Sequence, residues 1–440
     1  MGSSGTILAA AGREFRCHHV SATNAMNAPY DQAARNATPL PEGPLRILTV
    51  ANVPSNPNSG AAGTVFHTNR AFRELGHHVE EIWSDRLGPR RINHGNLHSL
   101  LEQPRAYRRE ILKATRNQPF DAVLISQPQG YLAAKALKHS GFEGVVINRS
   151  HGLELRVDEV LPHWRRRMGF SSSRHPVLTG MLRPLLQRQW AETLKWFDGI
   201  VLPCVDDREF LVSRTRCDPS QLATIHHGVP ESFLTEPVLP MTANRRNRML
   251  FIGQHSFIKG PDLLVEIVNQ TLAASPNMEM TWVTSKEDHQ WIRERLAPEI
   301  ADRVTLQGWV LQVELLPLLD SHGIFVFPSF FEGAGKACAE ALARGMLVVA
   351  SETGGMRDHL REVMPDGLCQ VGDTEAFIKR ILAFANSDAI NVNRLATSAA
   401  YCQKLTWANC AQQLVAFFRQ QKAANRNFRS RHRTDRRRSP

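Results

Sequence analysis

Two glutamates stand eight positions apart, where small residues follow an apolar run. Glu332 and Glu340 flank a turn-forming segment, residues 333–337, that comes after the strand-like run Ile324–Phe327. A helix that begins near Lys336 would present free backbone N–H groups and the positive end of its dipole to a phosphate. Carboxylates on both sides of such a site can bind hydroxyls on both sides of a diphosphate. Taken alone, the two glutamates also fit a helix cap and a solvated helix face.

A lysine provides a second candidate contact for the same diphosphate. The apolar run Met249–Ile252 leads into a loop that contains Gly253 and Gln254, and Lys259 stands just before a helix with Pro261 in its first turn. A lysine there can place a positive charge on a diphosphate leaving group. The alternative is an ordinary surface lysine in a loop.

The first half of the chain offers a small-residue loop and a histidine. Gly60 and Ala61 lie in a run of small residues after the first strand-like segment, where the backbone can approach a ligand closely. His151 follows the strand-like run Val145–Asn148, so it can reach into a cleft between domains. An ordinary strand–helix turn and a packed or capping histidine are the alternatives.

These residues must be positioned by two consecutive α/β domains. Short apolar runs alternate with helical patterns through both halves, which predicts parallel sheets covered on both faces. The predicted segments are a disordered leader (1–43), an N-terminal domain (44–236), a linker (237–248), a C-terminal domain (249–403), a last helix (404–422) and a basic disordered tail (423–440).

Composition narrows the function. The net charge of +11 over 440 residues is concentrated in residues 156–188 and 421–440, so no basic groove for nucleic acid is expected. Seven scattered cysteines without a C-x-x-C pair favour reduced thiols in the cytoplasm and no metal site. No apolar run approaches the roughly 18 residues of a membrane span. Arg165, Arg166 and Arg167, with the basic tail, suit either an anionic membrane surface or a solvated face.

Several motifs together resemble glycosyltransferase family four, the retaining enzymes of the GT-B fold. The resemblance covers about residues 45–418. Its hallmark is a pair of glutamates separated by seven residues after a Pro-Ser pair. The matching segments are Pro328–Glu340, Gly253–Asp262, Gly354–Asp358, Gly76–Val79 and Leu405–Trp407.

The resemblance implies two Rossmann-like domains around a deep cleft, with a nucleotide diphosphate sugar as donor and no cofactor or metal. Glu332 would contact the donor sugar, Glu340 the ribose and Lys259 the diphosphate, with His151 near the transferred sugar. The remaining donor-binding residues would be Gly60, Ala61, Gly253, Gln254, Gly335, Lys336 and Ala337. The acceptor would be a glycan, a lipid-linked sugar or a small molecule, bound to the N-terminal domain, on which the last helix would pack.

Departures from the family pattern, which also include Ala61 for the usual glycine and His227 for the usual asparagine, and the glycine pattern of the turn leave two alternatives open. Gln254 stands where the family has arginine, which removes one diphosphate cation, and Lys336 replaces an apolar residue. A catalytically weakened scaffold protein is therefore one alternative. The other is a nicotinamide-dependent oxidoreductase, because Gly333, Gly335 and Ala339 imitate a dinucleotide-binding fingerprint, with Glu352 after the next strand.

Overall fold

The computed structural model describes residues 43–170, 176–386 and 392–438. Within these residues the strands form two six-stranded sheets in which every strand pair is parallel. The alternation of apolar strands and helices therefore folds as the sequence predicts. A parallel sheet must be covered on both faces, and the helices between the strands provide that cover.

The first sheet has its strands in the order β2-β1-β3-β4-β5-β6. The strand β2 lies on one side of β1 and β3 lies on the other, so the chain changes direction across the sheet between them. The loops that follow β1 and β3 therefore flank a switch point. The strands are β1 (Arg46–Val50), β2 (His78–Ile82), β3 (Ala122–Ser126), β4 (Val145–Arg149), β5 (Gly199–Leu202) and β6 (Leu222–Thr224).

The second sheet has the order β12-β11-β10-β7-β8-β9, with its switch point between β7 and β10. The loops that contain Lys259 and Glu332 follow these two central strands, so the topology places both candidate residues at one edge. The strands are β7 (Arg248–Ile252), β8 (Glu279–Val283), β9 (Val304–Gln307), β10 (Ile324–Phe327), β11 (Leu347–Ser351) and β12 (Leu368–Cys369).

Helices connect the strands and pack on both sheets. The helices before β7 are α1 (Gly60–Glu74), α2 (Ser84–Leu87), α3 (Gly95–Leu97), α4 (Gln103–Asn117), α5 (Tyr131–His139), α6 (Glu154–Arg167), α7 (Pro176–Trp196), α8 (Val205–Arg214), α9 (Glu231–Thr235) and α10 (Ala243–Arg246). Those after β7 are α11 (Pro261–Ala274), α12 (His289–Arg293), α13 (Gln312–Ser321), α14 (Lys336–Ala343), α15 (Gly354–Val363), α16 (Thr374–Asn386), α17 (Val392–Cys402) and α18 (Trp407–Arg438). Within the described ranges, no helix is both long and apolar enough to cross a membrane.

The last helix returns to the first sheet. Leu414 and Phe418 of α18 are buried with Ile47 and Phe72 in one apolar cluster. The Phe418 and Phe72 rings lie 6.0 Å apart. The last helix therefore contributes to the apolar core of the N-terminal domain. The chain reaches this position after it has formed the second sheet.

The prediction of a disordered tail from residue 423 is wrong, because α18 continues through Arg438. Residues 423–438 contain no proline or glycine and include seven arginines, and arginine is a good helix former. Polar contacts to the N-terminal domain hold the helix at the point where the predicted tail begins. The Lys422 Nζ donates to Asp121 at 2.6 Å, and the Asn425 Nδ2 donates to Asp198 at 2.7 Å. The predicted leader 1–43 lies outside the described residues except for its last position.

A buried histidine makes the stability of the second domain depend on pH. The His322 Nδ1 donates to the Leu318 carbonyl at 2.7 Å, and the Nε2 pairs with the Thr281 hydroxyl at 2.8 Å. Burial lowers the pKa of His322 to about 4. Between pH 6.5 and the lower pKa of the folded state, the unfolded chain therefore carries a proton on this histidine and the folded chain does not.

We expect the free energy of unfolding of the wild type to fall more steeply than that of His322→Gln between pH 6.5 and 4. The difference in slope should be at most about 1.4 kcal/mol per pH unit. Urea unfolding followed by fluorescence measures it, with His163→Gln, at an exposed position, as control. Parallel slopes for wild type and His322→Gln would contradict the assignment.

Candidate active site

The predicted phosphate turn lies between β10 and α14. Gly335 has φ +63° and precedes the first residue of the helix, so the N-terminus of α14 begins directly after the turn. Glu332 precedes this turn, and Glu340 lies one turn into the helix. Only 7% of Glu340 is exposed, which rules out the solvated helix face. Gly335, rather than Glu332, occupies the N-cap position, so the cap alternative is also wrong.

Lys259 and Glu332 meet across the switch point of the second sheet. The Lys259 Nζ lies 2.5 Å from the Glu332 Oε2 and 4.7 Å from the centre of the Phe327 ring. Their loops are joined by a backbone hydrogen bond from the Phe330 N–H to the Ile258 carbonyl at 2.8 Å. Two residues separated by 73 positions in sequence therefore form an ion pair because β7 and β10 are neighbours.

Lys336 pairs with Glu340 along α14. The Lys336 Nζ lies 3.4 Å from the Glu340 Oε1, and about a quarter of the lysine side chain is exposed. Gln254, by contrast, is exposed in the loop after β7, where Gly253 donates its backbone N–H to the Val283 carbonyl of β8. Lys336 therefore places a cation at the N-terminus of α14.

His151 brings the first domain to this turn. Its Nε2 lies 3.3 Å from the Ser126 hydroxyl, and burial lowers its pKa to about 3, with the Arg149 charge adding to the effect. A Cβ on Gly333 would come within 2.5 Å of the His151 carbonyl oxygen, so the two backbones touch and only glycine fits. The histidine is neutral at physiological pH.

Gly60 and Ala61 form the first turn of α1 and are exposed. Among the described residues, no hydrogen bond or ion pair joins Gly60 or Ala61 to the second domain. The structure thus brings Lys259, Glu332, Lys336, Glu340 and His151 to one place, together with Gly335 and Ala337 at the helix N-terminus.

Sequence reasoning missed a buried guanidinium between the domains. Arg156 of α6 is 8% exposed and donates to Asp206 and Asp207 of its own domain at 3.1 and 2.7 Å. It also donates to the Glu332 carbonyl at 2.7 Å and to the Thr353 hydroxyl at 3.4 Å. The sequence counted this arginine in the basic segment 156–188, and no local pattern marked it as buried.

The acidic partners of Arg156 extend the network into α15. Asp206 accepts from the Gly354 N–H at 2.7 Å and pairs with the Arg357 guanidinium. Burial raises the pKa of Asp207, and the Arg156 charge opposes that rise. The one signal available in the sequence was an acidic pair, Asp206 and Asp207, in the first turn of the helix that follows the buried strand β5.

An aromatic stack lies beside this network. Trp164 of α6 stacks on Phe330 with ring centres 5.0 Å apart, and Phe330 stacks on Phe257 at 4.9 Å. Arg165, one residue of the predicted membrane patch, lies over the Phe257 ring at 5.4 Å. Arg165 therefore packs against the loop that contains Lys259, whereas Arg166 and Arg167 are exposed.

The family comparison agrees with this geometry. The model of the family described as glycosyl transferases group 1 matches residues 246–387, which include Lys259, Glu332 and Glu340. The chain carries a group 1 glycosyltransferase domain. The family resemblance seen in the sequence motifs is confirmed.

Curated relatives of the glycosyltransferase domain include sugar-transferring enzymes from bacteria. D-inositol 3-phosphate glycosyltransferase of Streptomyces scabiei is 25% identical over 233 residues, which cover 49% of this chain and 52% of that one. Alpha-maltose-1-phosphate synthase of Mycolicibacterium smegmatis is 26% identical over 235 residues, covering 49% and 58%. The chain thus spans about half the length of the curated relatives it matches.

Solved structures confirm the GT-B fold. Sucrose-phosphate synthase of Thermosynechococcus elongatus superposes with a TM-score of 0.67 at 18% identity, over 86% of this chain and 100% of that one. The catalytic domain of starch synthase IV of Arabidopsis thaliana, bound to ADP and acarbose, gives 0.63 at 12% identity, over 87% and 100%. At such low identity the likeness concerns the fold alone.

We expect Arg156→Met to lower the free energy of unfolding by about 3–5 kcal/mol, because it leaves the buried Asp207 without its cation. Arg156→Lys should lower the free energy of unfolding less than Arg156→Met does, because lysine keeps the positive charge. It should still be less stable than the wild type, because lysine cannot reach all four acceptors of the arginine. Urea unfolding measures both variants. Arg214→Ala, which breaks an exposed ion pair with Glu159, should cost under about 1 kcal/mol. Equal losses for Arg156→Met and Arg214→Ala would contradict a buried interdomain role.

Proposed function

We propose that this protein is a retaining glycosyltransferase that moves a sugar from a nucleotide diphosphate sugar to a glycan, lipid-linked or small-molecule acceptor. The observation that carries the proposal is the Lys259–Glu332 ion pair at the N-terminus of α14, with the His151 backbone of the other domain against it. A cation, a carboxylate and free helical N–H groups meet there at the carboxyl edge of a parallel sheet, where nucleotides bind in such folds.

In the proposed reaction, positive charge stabilises the leaving diphosphate. Lys259 would exchange its pairing with Glu332 for the diphosphate, which frees the carboxylate for a sugar hydroxyl. Lys336 would provide the second cation in place of the arginine that Gln254 replaces, and the N–H groups at Gly335–Ala337 would add to it. Charge placed in advance where charge develops is a principal source of rate acceleration.

Metal independence stays a prediction. Among the described residues, no cluster of three or more His, Cys, Asp or Glu side chains is arranged to hold a metal ion. The proposal assigns the stabilisation of the leaving group to Lys259, Lys336 and the helix N-terminus. The cytoplasmic location, and contact with an anionic membrane surface through Arg165, Arg166, Arg167 and the basic end of α18, stay predictions as well.

The two alternatives differ in their support. The oxidoreductase reading needs the glycine-rich turn after the first strand of a domain, whereas Gly333 and Gly335 follow β10, the fourth strand of theirs. The family model that matches residues 246–387 is also one of glycosyl transferases. The scaffold reading rests on Gln254 alone, and the Lys336–Glu340 pair beside the phosphate turn weakens it.

The nucleotide should raise the melting temperature of the protein, because a ligand that binds only the folded state stabilises it by about 2.7 kcal/mol at 100 times its Kd. We expect one of UDP, GDP or ADP, or its sugar conjugate, to do so in a thermal-shift screen that also contains NADH. The shift should vanish in Glu340→Ala and persist in Glu375→Ala, a change at an exposed position of α16. A shift with NADH alone would favour the oxidoreductase.

Glu332→Gln should lower kcat by about 100-fold or more while nucleotide affinity changes little, since the carboxylate acts on the sugar. Turnover is measured as release of nucleotide diphosphate from the donor found in the screen, and affinity by titration calorimetry. Glu294→Gln, on an exposed face of the same domain, is the control. Equal losses in turnover and affinity would refute the assigned role, and a wild type that binds nucleotide without turnover would favour the scaffold.

A further inference from the structure

A histidine of α15 contacts the phosphate turn directly. The His359 side chain is 1% exposed, and its Nε2 lies 3.3 Å from the carbonyl oxygen of Ala334, the residue before Gly335. Its Nδ1 lies 2.8 Å from the Tyr401 hydroxyl of α17. The imidazole therefore joins the turn to a helix from a later part of the chain.

The surroundings of His359 determine where its proton lies. Burial lowers the pKa of His359 to about 3, so the ring is neutral and carries one proton. A carbonyl oxygen can only accept, so this proton lies on Nε2 and is donated to Ala334. The Nδ1 atom is then the acceptor, and the Tyr401 hydroxyl donates to it. Burial also raises the pKa of Tyr401, so the hydroxyl keeps the proton that it donates.

The orientation of the Ala334 carbonyl fixes the direction of the next N–H group. A peptide group is planar and trans, so its C=O and N–H bonds point in opposite directions. The Ala334 carbonyl faces α15, because a Cβ on Gly355 of that helix would come within 2.0 Å of the oxygen. The Gly335 N–H belongs to the same peptide group and therefore points away from α15.

Gly335 is buried, and its N–H has no acceptor among the described residues. Buried backbone N–H groups are rarely left without a partner. Gly335 is the N-cap of α14, and the first N–H groups of a helix also lack acceptors within it. An anionic oxygen in front of the helix would accept from both sources, and the donor diphosphate of the proposed reaction supplies such oxygens.

Glycine at position 335 makes an external hold on this peptide necessary. Gly335 has φ +63°, and glycine adopts positive and negative φ about equally well. The peptide group before it can therefore rotate at little cost, and its N–H would turn with it. The hydrogen bond from His359 to the Ala334 carbonyl opposes this rotation.

We propose that His359, held by Tyr401, is a positioning residue that aims the Gly335 N–H at the diphosphate of the donor. The inference rests on the proposed glycosyltransferase function and deepens its donor site. The imidazole itself does not touch the substrate. It holds the Ala334 carbonyl on the side of α15, so that the N–H on the opposite side is oriented before the diphosphate binds.

Two histidine variants and one tyrosine variant test the pair in the full chain. In His359→Asn the short amide replaces Nδ1 and does not reach Ala334, whereas in His359→Gln the longer amide places an N–H near the position of Nε2. Tyr401→Phe removes only the hydroxyl that orients the ring. Tyr131→Phe, in α5 of the first domain, is its matched control. Titration calorimetry measures the Kd for the diphosphate among UDP, GDP and ADP that the wild type binds.

We expect His359→Asn to raise this Kd about tenfold, the loss of about one hydrogen bond to a charged group. His359→Gln should restore the Kd to within about threefold of the wild-type value, since it keeps the donor to Ala334. Tyr401→Phe should raise the Kd about threefold, and Tyr131→Phe should leave it unchanged. Equal Kd values for His359→Asn and His359→Gln, whether raised or not, would overturn the positioning role.

Urea unfolding of the same variants separates positioning from a role in folding alone. If His359 only stabilised the fold, the Kd would follow the free energy of unfolding and not the presence of a donor to Ala334. Tyr401→Phe keeps its ring, so it tests the pair even where a histidine variant does not fold. If the wild type binds no nucleotide, the proposed function fails and this inference with it. Wild-type binding that is unchanged in His359→Asn and Tyr401→Phe refutes this inference alone.

Discussion

The buried guanidinium of Arg156 fixes how the two domains meet at the site. A cation that is 8% exposed must have its charge and donors satisfied, and Arg156 finds its partners on both sides of the domain boundary. Asp206 and Asp207 hold it in the first domain, while the Glu332 carbonyl receives one of its N–H groups from the second. A shift of one domain against the other would leave the buried charge of Arg156 without some of its partners. The position of Glu332 therefore depends on this contact.

Glycines also fix the position of the Glu332 turn, because they allow its backbone to touch the backbone of α15 and that of the segment at His151. A Cβ on Gly354 would come within 2.0 Å of the Glu332 carbonyl oxygen, and one on Gly333 within 2.5 Å of the His151 carbonyl oxygen. Gly354 also has φ +57°, which disfavours any other residue. The turn is therefore held from α15 on one side and from the first domain on the other. The two glycines therefore determine how closely the neighbouring backbones approach.

The strands and the central pairing were predictable, and the reason is topological. Buried parallel strands such as Ala122–Ser126 and Ile324–Phe327 are apolar runs, so they are visible in sequence. Loops that follow adjacent central strands meet at one edge, which brings Lys259 to Glu332. Arg156 and His359 were not predictable in the same way. Nothing local shows which arginine of a basic segment is buried, and the contacts of His359 with Ala334 and Tyr401 join segments that are distant in sequence. The end of α18 was missed because its anchors to Asp121 and Asp198 are polar and distant in sequence.

His151 and two histidines near it, His227 and His67, constrain the proton chemistry of the proposed reaction. The ring centres of His151 and His227 lie 6.0 Å apart, and the rings of His227 and His67 both stack on Trp407. Burial lowers the pKa values of His67, His151 and His227, and the charge of Lys336 or Arg149 lowers them further. These imidazoles are therefore neutral, and the charges that lower their pKa values belong to Lys336 and Arg149. A cation in such a position stabilises an anionic diphosphate. A histidine whose conjugate acid has a pKa of about 3 is a weak base. In the proposed reaction His151 accordingly orients a hydroxyl as a neutral hydrogen-bond partner, and the proton of the acceptor hydroxyl passes to an oxygen that gains negative charge, that of the leaving diphosphate.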